Sequence, residues 1–155
     1  MAGFLGEYEA TLDAKGRFLL PVGLKKQMVE EGDKRFVMNR GMEKYLSLYT
    51  WEAWQKVMNM LSDLDEYDPE VRQLKRLFLN GATIMELDSA GRLLVPPNLK
   101  PHAELEKDIV LLGTGEIIEI WDKSKYDKFF ENFPTDTYSS MAHKLLSKKN
   151  KDAGN

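Results

Sequence analysis

The chain contains no cysteine. That excludes a disulfide framework and every thiolate metal site. Histidine is scarce: His102 and His143 are the two present, far apart and joined by no ligand motif. No Ser-His-Asp or Cys-His arrangement can be argued from that stock, so no catalytic residue, metal or cofactor is expected. Long apolar runs are missing. No stretch approaches the roughly 18–20 residues that a bilayer span needs. The opening "MAGFLGEYEATL" has neither the basic start nor the apolar run of a signal peptide. The expectation is a soluble cytoplasmic protein with no membrane partner and no small-molecule substrate. A basic excess is missing as well. The formal net charge of −3 sits awkwardly with nucleic-acid binding, because phosphate neutralisation needs clustered cations. Local patches matter more than that sum, so it excludes nothing. At 155 residues the chain fits one domain, or two small halves sharing a core.

What the chain does have is one phrase written twice. "LDAKGRFLLP" occupies residues 12–21 and "LDSAGRLLVP" residues 87–96, with six of ten positions identical. The repeat extends around both phrases. "EYEATL" alternates as a half-buried strand does, "DAKG" suits a type I turn, and "RFLL" reads as the returning strand. Pro21 fits the first turn of a helix. "RFVMN" and "YLSLY" look like a second strand pair, followed by a helix whose Trp54, Val57, Met58 and Leu61 recur at helical spacing. The second copy reads "ATIMEL", "DSAG", "RLLV", then a short helix that Pro101 is expected to cut or bend. "IVLLG" and "IIEIW" pair next, and Tyr126, Phe129, Phe130 and Phe133 form the second closing stripe. Both stripes are expected in the core. Between the copies, Asp68 and Pro69 look like the cap and first residue of a helix. On that helix Val71, Leu74 and Phe78 would form the apolar stripe.

The expected fold is α+β, two tandem β-β-α-β-β repeats with flanking helices. The first repeat with its closing helix takes residues 1–62, a helical linker 63–81, and the second repeat with its closing helix 82–136. Residues 137–155 form a basic tail, disordered at its end.

A single "DxxGR" needs no more than a tight turn to explain it, since Asp and Gly are turn formers. Turn geometry does not explain an Arg fixed in both copies. An Arg leaving a hairpin can meet a phosphate, or guanine O6 and N7, in a bidentate way. Asp13 could fix the turn while Lys15 and Arg17 do the reading; the second loop has Ala90 at the tip and Arg92 after it. Arg72, Lys75 and Arg76 could be a second basic surface or a solvated helix face, and Arg72 and Arg76 could instead pair with carboxylates of a neighbouring subunit. Lysines 144, 148, 149 and 151 suit either polyanion attraction or solubility. "DLDEYDPE" starts like a calcium loop but has Asp68 where the turn needs Gly and Leu74 where the bidentate Glu belongs. "GTG" at 113–115 lies between strands and is a hairpin turn, not a dinucleotide loop.

Two "LDxxGRxxLP"-like phrases, together with "YLSLYTWEAW" and "DPEVRQLKR", resemble the MraZ family. These are bacterial transcriptional regulators related to the AbrB-type swapped-hairpin DNA-binding proteins. The resemblance runs from about Phe4 to Tyr138. It implies a compact barrel-like fold, a ring-shaped homo-oligomer, and nucleoid-associated binding to G-rich direct repeats in the promoter of the division and cell-wall gene cluster. It implies that the "DxxxR" loops contact DNA. Carried onto this chain, Lys15, Arg17 and Arg92 are the contacts, and Asp13, Gly16, Asp88 and Gly91 organise the loops. The rival readings are an antitoxin-like protein-interaction module of the AbrB-type fold, and an enzyme of unrecognised type.

Overall fold

A computed structural model describes residues 3–28 and 32–153. Alternation near the N-terminus gives β1 (Phe4–Thr11), with Phe4 buried and every second residue exposed. The Asp13–Gly16 turn leads to β2 (Arg17–Leu19), and Pro21 stands at the N-cap of the one-turn helix α1 (Val22–Lys25), one residue before the expected first-turn position. β3 (Arg35–Arg40) and β4 (Leu46–Thr50) pair antiparallel, as their sequence predicts. The Thr50 hydroxyl accepts from Ala53 N and caps α2 (Trp51–Ser62). Asp68 caps α3 (Pro69–Leu79) by accepting from Glu70 N, with Pro69 opening the helix.

The second half follows the same order: β5 (Thr83–Glu86), β6 (Arg92–Leu94), α4 (Lys100–Ala103), β7 (Asp108–Gly115) and β8 (Ile117–Asp122). Pro101 lies in the first turn of α4, where its missing N–H costs nothing. It opens that helix rather than cutting it.

Strand pairing departs from the simple hairpin reading. The expected return of β2 onto β1 exists at the tip alone, where Asp13 N donates to Arg17 O at 2.8 Å; Asp88 N donates to Arg92 O at 2.9 Å in the second copy. Beyond the tips the strands part. β1 pairs with β7, β5 pairs with β3, and β2 pairs with β6. The main sheet runs β1-β7-β8-β4-β3-β5, and β2-β6 forms a separate ribbon. Strands from the two repeats are interleaved within one sheet, so neither repeat holds a sheet of its own.

Burial explains the exchange. Pairing β2 with β6 sets Phe18 opposite Leu93, and both are fully buried. Leu24 and Leu99, at matching positions of the two copies, fill the same core with Ile109, Leu111, Ile118 and Ile120. A three-residue strand with a proline two residues beyond it has few ladder bonds to offer locally; the gain comes from closing this apolar interior.

The closing helices differ from expectation. In α2, Trp54 is buried, with Phe78 stacked on it at 6.0 Å and Tyr49 edge-on at 5.2 Å, but Met58 is exposed. Leu74 of α3 is exposed as well, so the expected stripe on that helix narrows to half-buried Val71 and Phe78. α5 (Lys123–Glu131), from its second residue on, and α6 (Thr135–Ala153) belong to a second compact unit that begins at Ser124. There Phe130 and Phe133 are exposed rather than in a core. Tyr126, Phe129, Phe130 and Phe133 pack on one another instead, with centroids 4.6–5.2 Å apart. The stretch read as a basic tail is mostly α6, a helix through Ala153; residues 154 and 155 lie outside the described residues.

Candidate nucleic-acid interface

Each repeated loop is held by the same set of bonds. In loop 1, Gly16 N donates to Asp13 O at 3.0 Å, and Gly16 takes φ +84°, a conformation that L side chains rarely adopt. Asp13 Oδ1 accepts from Lys15 N and Arg17 N, both at 2.9 Å, and Oδ2 accepts from Arg17 Nε at 2.8 Å. Loop 2 repeats this. Gly91 N donates to Asp88 O at 2.9 Å with φ +81°. Asp88 Oδ1 accepts from Ala90 N at 3.0 Å and Arg92 N at 2.8 Å, and Oδ2 accepts from Arg92 Nε at 2.9 Å. Both carboxyls are held below their ordinary value. In each, the backbone N–H of the arginine is the main cause, against a smaller opposing effect of desolvation.

The spacing of Asp and Arg is thereby explained structurally: the guanidinium closes a ring onto its own loop. One of its five N–H donors is used for this. Among the described residues no other hydrogen bond reaches either guanidinium, though Arg92 Nη1 lies 3.9 Å from Asp13 Oδ2. The Arg17 and Arg92 side chains keep 28% and 33% of their surface exposed, enough to present their Nη edges to a ligand.

The two loops sit side by side because the ribbon joins them. Leu20 N donates to Gly91 O at 3.1 Å, and Val95 N donates to Gly16 O at 2.9 Å, so each repeat bonds the other's turn glycine. Register pairs Arg17 with Leu94 and Leu19 with Arg92. Paired residues share a face, so both arginines and both leucines point away from buried Phe18 and Leu93. Leu19 and Leu94 are exposed. They belong to the same outer surface, and sequence reasoning passed over them. The three-residue alternation of "RFL" and "RLL" was the available signal. Lys15, at the tip of loop 1, is exposed and extends this surface.

The other basic candidates are placed differently. Arg72 Nη1 donates to Glu66 O at 2.9 Å, and Lys75 forms an ion pair with the Glu66 carboxylate. Both brace the turn before α3. Lys144 and Lys148 lie exposed on α6, and the side chains of Lys149 and Lys151 are outside the described residues. His102 Nε2 hydrogen-bonds to Glu43 O at 2.8 Å. Among the described residues no group of His, Asp and Glu could hold a metal ion, and no helix is long and apolar enough to cross a membrane.

Comparison with known proteins finds the family described as "MraZ protein, putative antitoxin-like", matched twice, over residues 3–77 and 78–147. The chain is 38% identical over 152 residues to the transcriptional regulator MraZ of Cytophaga hutchinsonii, covering 98% of this chain and 100% of that one. It is 36% identical to the protein of that name from Heliobacterium modesticaldum, with 92% and 96% covered, and 35% identical to that of Thermoanaerobacter sp. strain X514, with 83% and 87% covered. That shared name is one of a regulator and not of an enzyme. Two copies of the family match and relatives aligned along almost the full length agree with the doubled loop and the shared core: the chain belongs to the MraZ family.

Proposed function

We propose that the chain is a sequence-specific DNA-binding transcriptional regulator that works without chemistry. Its target is G-rich direct repeats in the promoter of the division and cell-wall gene cluster, and it is cytoplasmic and nucleoid-associated. The observation that carries this reading is the pair of braced loops, side by side on one ribbon, with the Nη edges of Arg17 and Arg92 left over. Asp13, Gly16, Asp88 and Gly91 set the loops. Arg17 and Arg92 then meet guanine O6 and N7 or phosphate oxygens, and Lys15 adds a phosphate contact. A two-stranded ribbon fits the major groove. The brace fixes each guanidinium before DNA arrives, so less side-chain freedom is lost on binding.

One subunit offers few cations and a net charge of −3. A ring of identical subunits, facing repeated boxes, makes each later contact intramolecular and raises avidity on the order of 10²–10⁴-fold. Exposed Leu77 on α3 and Ile84 on β5, a strand at the sheet's margin, supply apolar surface for such assembly. The test is a footprint on the DNA upstream of the protein's own gene at two salt concentrations. Protection over evenly spaced G-rich boxes that weakens steeply with salt supports the reading; no protected site at either salt overturns it.

A second reading is favoured by one observation. Tyr138, Met141 and Leu145 recur on α6 and are exposed, which suits a protein-interaction module of the antitoxin-like kind named in the family description. A second protein that co-purifies stoichiometrically and is lost with Met141→Glu supports it. Purification of this chain alone counts against it.

A further inference from the structure

Loop 2 has Ala90 where loop 1 has Lys15. On the sequence it is therefore one cation short. The exchange of strands changes that. Because Leu20 N is bonded to Gly91 O, the chain leaving β2 enters α1 beside loop 2, not beside loop 1. A methyl group placed on Gly91 would lie 3.9 Å from Lys25 Nζ. Lys25 ends α1 and is exposed. A hollow of about 400 Å³ opens beside it, lined by Val22, Lys25, Lys26, Met28, Lys34 and Leu87. Leu87 directly precedes Asp88, so this hollow with its three ammonium-bearing side chains adjoins loop 2.

We propose that loop 2 is a composite half-site: Arg92 comes from the second repeat, and Lys25 of the first repeat supplies its phosphate contact. The occupant of the hollow's rim is a phosphodiester of the DNA backbone flanking the base step that Arg92 meets. Lys25 has the chemistry for that role, a compact point charge on a flexible stem that positions without reading sequence. The proposal rests on the DNA-binding reading above and adds to it a residue and a division of labour. Loop 1 carries its cation at its own tip, while loop 2 borrows one across the repeat boundary.

The experiment measures affinity against salt concentration for the full chain, on a duplex carrying the repeats found upstream of its own gene and on a scrambled duplex. Losing one phosphate contact should lower the slope of log K against log salt by about 0.9 per engaged subunit. The same relation puts the affinity loss at about eightfold at 0.1 M salt per engaged subunit. Lys25→Gln is expected to show both, with the preference for repeats over scrambled DNA kept and thermal unfolding unchanged. Ala90→Lys in the Lys25→Gln background is expected to restore the slope, because it returns a cation to the loop itself. An unchanged slope in Lys25→Gln overturns the proposal. So does a lowered slope that Ala90→Lys fails to restore, since the phosphate would then lie away from loop 2. The double variant Arg17→Ala/Arg92→Ala separates the two levels. If it binds as the unaltered protein does, the DNA reading itself falls; if it fails to bind while Lys25→Gln behaves normally, the composite site alone falls.

Discussion

Loops 1 and 2 share a skeleton and differ at the tip. Each has an aspartate accepting two backbone N–H groups and one guanidinium Nε, and each has a glycine at positive φ. Loop 1 then adds Lys15, and loop 2 has Ala90 in its place. The comparison separates two jobs. The repeated letters are those that fix the turn and aim an arginine, and the tip cation is a variable addition to that frame. The two loops also depend on each other, because each turn glycine is bonded by the other repeat's strand.

The largest expected effect breaks that dependence from beneath. Phe18 and Leu93 face each other inside the ribbon, both fully buried. Phe18→Ala should cost about 3–5 kcal/mol and Leu93→Ala about 2–5 kcal/mol of stability in denaturant unfolding. Each should loosen both loops together. Loss of protection in one loop alone, by amide hydrogen exchange, would show that the repeats are not coupled.

Next come the arginines. Arg17→Ala and Arg92→Ala should each weaken binding to the repeat duplex by about 1–3 kcal/mol. Arg17→Ala is expected to be the more damaging, because loop 1 carries its cation at its own tip, whereas Lys25 reaches loop 2 from a separate element on a flexible stem. A larger effect from Arg92→Ala would reverse the ranking of the loops.

The two turn glycines should behave alike. A methyl group at Gly16 would meet Val95 O at 3.7 Å and one at Gly91 would meet Lys25 Nζ at 3.9 Å, both ordinary contacts. The cost of Gly16→Ala and Gly91→Ala is therefore the positive φ alone, about 1–2 kcal/mol in each loop. Equal shifts in the unfolding midpoint are expected.

The smallest effect is in acid. Asp13 and Asp88 are both held below the ordinary value of 3.8. A depressed folded-state value contributes stability above the unfolded-state value and loses it as pH falls through the folded one. Stability should therefore drop as pH is lowered below about 4, and Asp13→Asn and Asp88→Asn should each flatten that drop by a similar small amount in denaturant titrations. Asp33, which the Arg35 side chain holds to about 2, adds to the same window and should be unaffected by either change.

Much of this architecture is written locally. The order of elements, the Asp68 cap and the turn residues all follow from short-range chemistry that a few neighbouring letters carry. Partner choice does not. "RFL" and "RLL" alternate alike, and nothing in three letters says that β2 pairs with β6 rather than β1; that is decided by which pairing buries Phe18 on Leu93. The stripe through Phe130 and Phe133 shows the same limit, since helical periodicity marks an apolar face and not what covers it. At the site, the Asp and Arg positions could be read from the sequence, but the commitment of Nε to the brace could not. Nor could the approach of Lys25 to Gly91, 66 positions further along the chain, which depends on the exchange of strands.

In the function proposed above, two braced arginines on a shared ribbon grip DNA. Its most direct test is the affinity of Arg17→Ala/Arg92→Ala for the upstream repeat duplex, measured at two salt concentrations, with unfolding curves confirming an intact fold. Loss of repeat-specific binding at both salts is expected. Specific binding equal to that of the unaltered protein would contradict it.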